Sequence, residues 1–118
     1  MHETSLMQFT LDAVERKCLQ MNIRHVKSIR IVVGDLRGAL PDLMQEAFRI
    51  LTYKRPVFHG AALEIETRPV VLRCASCGGR FTPEAFHAVR CPACGAAEYT
   101  VEAGNELYID SFEGEETP

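Results

Sequence analysis

No apolar run in this sequence approaches the ~20 residues that a bilayer-spanning helix needs. The first residues offer no basic segment leading into an apolar stretch with a small-residue cleavage site. His2, Glu3, Thr4 and Ser5 are polar, so no secretory leader is expected and the chain reads as cytoplasmic. Charge of one sign is not in excess either: 13 Lys and Arg stand against 16 Asp and Glu, a net charge of −3. That balance gives no electrostatic footprint for a nucleic acid. The chain also lacks a glycine-rich phosphate cradle, a nucleophile beside a base, and internal repeats, so an enzyme is not expected.

What is present is ordinary for a globular protein: 118 residues, 47% hydrophobic and 25% charged. Such a length makes one domain, or one small domain with a satellite. The five cysteines carry more information. Four cluster and Cys18 stands apart. In a reducing compartment an ordered cysteine pattern points to metal before disulfide.

Residues 5–21 place Met7, Leu11, Val14, Cys18 and Met21 at steps of four and three, an amphipathic helix with one buried face. Thr4 or Ser5 is its expected N-cap and Asn22 its stop. Cys18 falls on the apolar stripe and reads as a small buried hydrophobe. Residues 26–33 alternate as a strand, with Ile29, Ile31 and Val33 inward and Ser28, Arg30 and Val32 on the other face. After the turn GDLRGAL, Pro41 suits the first turn of a second helix, whose stripe is Met44, Ala47, Phe48 and Leu51. A strand follows in ALEIETRPVVLRC, interrupted by Pro69, and ELYIDSF is a third strand candidate. The acidic tail GEETP reads as disordered. His25 and His59 read as solvated, and Arg24, His25, Lys27 and Arg30 as one solvated face or a docking patch for an acidic partner.

Residues 73–104 differ in character. Cys74 and Cys77 form one C-x-x-C pair and Cys91 and Cys94 another, with thirteen residues between the pairs. Two residues between ligands let a tight turn aim both sulfurs at one point, and two such knuckles supply the closed tetrahedron of structural Zn(II). Cys₄ also suits iron, and a disulfide pair is a further alternative. About 30 residues bury too little surface to fold unaided, so the metal would supply the folding free energy. Arg73, Arg80 and Arg90 are balanced by Glu84, Glu98 and Glu102, which disfavours nucleic acid as a partner here too. The expected architecture is α+β: a small mixed sheet with two helices, residues 1–72 and 105–118, carrying an inserted zinc ribbon, residues 73–104. The last strand is expected to return and pair with the first two.

The start, MHE, offers a second donor set. The Met1 amine, the backbone amide and the His2 imidazole close fused five- and six-membered chelate rings, and the Glu3 amide nitrogen is a further in-plane donor. Such a planar nitrogen set favours Ni(II) or Cu(II) over Zn(II). By chemistry alone, a solvated histidine at a chain end is the favoured reading, because any chain with histidine second offers these donors.

MHE, the amphipathic helix, IVVGDL, PDLMQEAF, GA-x-LEIE, the two knuckles and the closing strand, taken in order over the whole chain, resemble the HypA/HybF family of nickel metallochaperones for [NiFe]-hydrogenase maturation. The resemblance implies Ni(II) cargo bound by His2 with the Met1 amine or the Glu3 backbone. It implies structural zinc at Cys74, Cys77, Cys91 and Cys94, and a HypB-type GTPase and the hydrogenase large subunit as partners. A membrane is not among the expected partners, and monomer and homodimer both stay open. GDL stands where relatives commonly show GEL. Some relatives carry a longer loop between the knuckles, whose histidine can complete the nickel site. Here the loop's histidine is His87, read as structural rather than as a ligand. The competing reading is a zinc-ribbon interaction or regulatory module without nickel cargo.

Overall fold

The computed structural model describes residues 3–116. Helix α1 spans Glu3–Met21, so Thr4 and Ser5 lie inside its first turn rather than capping it. Leu6, Met7, Leu11, Val14 and Cys18 form its buried face, while Met21 is exposed. Asn22 ends the helix with φ 56°, a left-handed conformation that asparagine tolerates better than most residues. Strand β1, Ile23–Gly34, follows at once and is longer than the sequence alternation suggests. A 3-10 turn, Asp35–Arg37, leads to α2, Pro41–Thr52, with Pro41 in the first turn, where its missing N–H costs nothing. Met44, Ala47 and Phe48 are buried on α2 and Leu51 is half-buried.

Strand β2, Ala62–Arg68, lies parallel to β1, as the α2 crossover requires. Pro69 separates it from β3, Val71–Cys74, and the two strands join different sheets. Strands β4, Arg80–Phe81, and β5, Tyr99–Ala103, flank β3 in the order β4-β3-β5. Strand β6, Leu107–Glu116, returns to the first sheet, which runs β2-β1-β6. Among the described residues it pairs antiparallel with β1 and not with β2. It also runs further than expected, because Gly114 to Glu116 are opposite Val26 to Ile23, so the first part of the acidic tail is strand.

Both helices pack on one face of the first sheet. Ile29, Ile31 and Val33 meet Leu63 and the two helical stripes there, with Leu107, Ile109 and Phe112 at the margin. The opposite face is charged. Arg30 stands at its centre, 2.6 Å from Glu66, 3.6 Å from Glu64 and 3.7 Å from Asp110. Val32 shares that face, flanked in register by Glu66 and Tyr108, yet is buried. The basic cluster is therefore not one free patch. Lys27 pairs with Glu115, Arg30 with its acidic ring, and a ring nitrogen of His25 bonds the His59 carbonyl at 2.6 Å. The His59 ring in turn bonds the Tyr53 carbonyl, so neither histidine is simply solvated.

The two sheets meet where backbone touches backbone. Gly34 N–H donates to the Glu106 carbonyl at 2.7 Å and Leu36 N–H to the Gly104 carbonyl at 2.8 Å. A Cβ on Gly34 would sit 2.0 Å from that Gly104 oxygen. Only a glycine allows so close an approach.

Candidate metal centre

Each C-x-x-C pair closes a tight turn that turns two thiols inward. At the first, Gly78 N–H donates to the Cys74 carbonyl at 3.0 Å and Cys74 N–H to the Gly79 carbonyl at 2.8 Å. The second repeats the pattern, with Gly95 N–H on the Cys91 carbonyl at 2.8 Å and Cys91 N–H on the Ala96 carbonyl at 2.9 Å. Gly78 and Gly95 have φ of 76° and 77°, which explains a glycine directly after each knuckle. Cys74 ends β3, and Ala75 N–H donates to the Glu98 carbonyl at 3.0 Å, tying the first knuckle to the chain entering β5. Arg80 and Arg73 both reach Glu102, at 2.5 and 3.5 Å, across the same small sheet.

The knuckles meet. The ligand atoms of Cys74, Cys77, Cys91 and Cys94 all lie within 4.8 Å of one another. Cys74 Sγ is 3.6 Å from Cys94 Sγ, and Cys77 Sγ is 3.7 Å from Cys91 Sγ. Thiolates about 2.3 Å from one Zn(II) at tetrahedral angles stand about 3.8 Å apart. The four cysteines are free thiols rather than disulfides, and their spacing fits a single four-coordinate ion.

Backbone donors prepare the sulfurs for the anionic state a metal requires. The N–H groups of Cys77 and then Ser76 hold the Cys74 thiol down to about 6. The N–H groups of Cys94 and Ala93 lower Cys91 in the same way. Cys94 is the counterpart: the Ala96 amide favours its thiolate, but the Cys74 thiol, burial and the other two thiols outweigh it and push it to about 11. Four thiolates cannot share this space without a cation among them. Cys18, by contrast, is buried on α1, and desolvation, then Glu15, raise its pKa; it is packing, not chemistry. His87 lies exposed in the loop between the knuckles and is not in the cysteine cluster.

Of the second donor set, Met1 and His2 lie outside the described residues. Glu3 is described: its carboxylate accepts from Leu40 N–H at 3.1 Å, at the entrance of α2. An anion there meets unpaired N–H groups and the positive end of the helix dipole. This contact spans 37 positions of sequence and left no linear signal. The glycine junction was equally unmarked, since Gly34 and Gly104 read alone as ordinary turn residues.

The sequence model of one protein family, described as "HypA: Hydrogenase/urease nickel incorporation, metallochaperone, hypA", matches residues 1–114. The hydrogenase maturation factor HypA of Moorella thermoacetica is 36% identical over 115 residues, covering 98% of this chain and all of that protein. The HypA of Lawsonia intracellularis is 35% identical over 119 residues, covering 98% of this chain and 100% of its own. Among solved structures, the nickel metallochaperone HypA from Helicobacter pylori superposes with a TM-score of 0.68 at 23% identity, over 99% of this chain and 100% of that one. At that identity the likeness concerns the fold.

Proposed function

The chain belongs to the HypA family of hydrogenase and urease nickel-incorporation metallochaperones, and from that premise we propose that it carries Ni(II) at its N-terminus and delivers it to the [NiFe]-hydrogenase large subunit. The observation that carries the reading is the family match across residues 1–114, which includes the Met1, His2 and Glu3 donors and all four clustered cysteines.

Ni(II) is the cargo. It is held by the His2 imidazole with the Met1 amine or the Glu3 backbone, a planar nitrogen set of the kind Ni(II) accepts. The Glu3 carboxylate supports this arrangement from the side, because its bond to Leu40 N–H ties the start of α1 to the start of α2. A cation held by in-plane donors at a chain end is transferable, since an acceptor can replace the donors one at a time. Zn(II) is the resident metal of this reading; Cys74, Cys77, Cys91 and Cys94 would hold it, and it would offset part of the charge of the four thiolates and cross-link the two knuckles. With no open coordination position it activates no water, and the protein works as a carrier rather than an enzyme.

The division into a nickel domain, 1–72 and 105–118, and a zinc module, 73–104, belongs to the same proposal. Sheet membership supports it, with Val71 and Leu72 on the module's side. A HypB-type GTPase and the large subunit are the partners, in the cytoplasm. Among the described residues no helix is long and apolar enough to cross a membrane.

The test is a calorimetric Ni(II) titration of the wild type and His2→Ala. Loss of binding in the variant with zinc content unchanged supports the reading. Equal affinity, or binding by neither, removes the nickel-carrier role and leaves a zinc-ribbon interaction module.

A further inference from the structure

The first sheet has two edges, and the chain treats them differently. At β2 the side chain of Gln45 reaches over from α2 and donates to the Leu63 carbonyl at 2.7 Å, so that edge is partly closed. At β6, among the described residues, pairing is on the β1 side alone. The bond from Gly34 N–H to the Glu106 carbonyl sets the phase of the ladder. By antiparallel alternation the peptide groups of Tyr108 then face β1, and those of Leu107 and Ile109 face outward.

Beside that open edge lies an apolar groove of about 570 Å³ between α1 and β6. Leu6, Phe9, Ile31, Leu107 and Ile109 line it, and Phe9 stands 72% exposed at its rim. An exposed phenylalanine beside unpaired strand backbone is a liability unless something covers it. On the other face the edge strand is acidic. Asp110 and Glu113 stand on it without a basic residue of β6 beside them, and Asp110 shares the single Arg30 guanidinium with Glu64 and Glu66.

We propose that β6 is a docking edge for an extended segment of a partner protein whose side chains alternate between apolar and basic. The segment adds a fourth strand through the outward peptide groups of Leu107 and Ile109. Its apolar side chains fill the groove beneath Phe9, and its basic side chains lie on the charged face toward Asp110 and Glu113. Main-chain bonds supply the pairing and the two faces supply the selection. A second copy of this chain is a poor occupant, because two β6 edges would bring two acidic strands together. The inference goes beyond the nickel reading and does not depend on it.

The probe is a capped seven-residue peptide of alternating lysine and valine, added to the metal-loaded protein and followed by amide hydrogen exchange and NMR shifts. Slowing of the Leu107 and Ile109 amides by about tenfold or more is expected, with binding weakened by Phe9→Lys. A peptide N-methylated at the bonding amides, and one alternating glutamate and valine, should bind about tenfold more weakly. Equal binding of the N-methylated peptide, or protection located elsewhere, overturns the proposal. So does a peptide-free dimer that protects the same two amides, which would make a second copy the occupant. Phe9 is solvent-exposed, so its replacement leaves folding intact and the comparison interpretable.

Discussion

Glu3 shows how one side chain can tie together the starts of two helices. Its carboxylate at the entrance of α2 compensates N–H groups that no backbone acceptor reaches. Glu3→Ala should cost about 0.5–1 kcal/mol in chemical denaturation, the usual worth of a helix-start anion. If its carboxylate acts by placing the terminus, Ni(II) affinity should fall much less than in His2→Ala. A loss equal to that of His2→Ala would make the carboxylate itself a nickel ligand. Cys74 makes a second residue-scale prediction. Its pKa lies near 6 in the fold, below the ordinary thiol value of 9.0, because backbone N–H groups of Cys77 and Ser76 favour the thiolate. A group depressed in this way stabilises the fold fully above its unfolded pKa and loses that contribution as pH falls through 9 toward 6. Protons compete with a metal for these sulfurs, so zinc release into a chromogenic chelator should rise on acidification, and Cys74→Ser should move the release to higher pH. An unchanged profile in that variant would take Cys74 out of the ligand set.

At the scale of elements, the decisive joint is the one between β5 and β6. Gly104 has φ 104°, and a Cβ there would lie 2.5 Å from the Val70 Cα and 2.8 Å from its Cγ2. Gly104→Ala combines a disfavoured backbone with a clash against buried backbone, and should cost about 3 kcal/mol or more. Gly38→Ala is the control: its φ is 70° but its Cβ would meet open space, so about 1–2 kcal/mol is expected. Equal losses in thermal denaturation would mean that conformation alone, and not the close approach, matters at the joint. The contrast explains what could be read in advance. Helix α1, the Pro41 start of α2, the break at Pro69 and the two knuckles all follow from local rules of period, ring geometry and ligand spacing. The far end of β6 does not: Gly114 and Glu115 look like a solvated tail, and they become strand because β1 offers an edge and Lys27 pairs with Glu115. The Arg30 ring and the bond from His25 to His59 likewise join residues more than thirty positions apart, where no periodicity reports them. The cysteine cluster was legible and the placement of Glu3 was not, for the same reason.

The whole molecule is long and thin, 60 × 24 × 16 Å, with a radius of gyration of 18.2 Å. A compact chain of this length would have about 13–14 Å. The shape follows from where the apolar residues are: the main core belongs to α1, α2, β1 and β2. The second sheet and its knuckles bury little beyond Leu72, Cys74 and Cys91. One end is thus stabilised by apolar burial and the other by whatever holds the four sulfurs together. Removing zinc with a strong chelator under reducing conditions should abolish amide protection in β3 and β5. Protection at Ile29, Ile31 and Val33 in β1 should stay within a few-fold of its initial value. The glycine junction sets the boundary of the loss, because Leu36 N–H still has the Gly104 carbonyl to hold and β6 still pairs with β1. Cooperative loss of both sheets would show that the junction transmits the metal's stabilisation into the first core. Full retention of β3 and β5 would show that the second sheet folds without metal. The predicted outcome, one end unfolded and the other intact, would leave the start of α1, where Glu3 meets Leu40, on a folded support while the second sheet is lost.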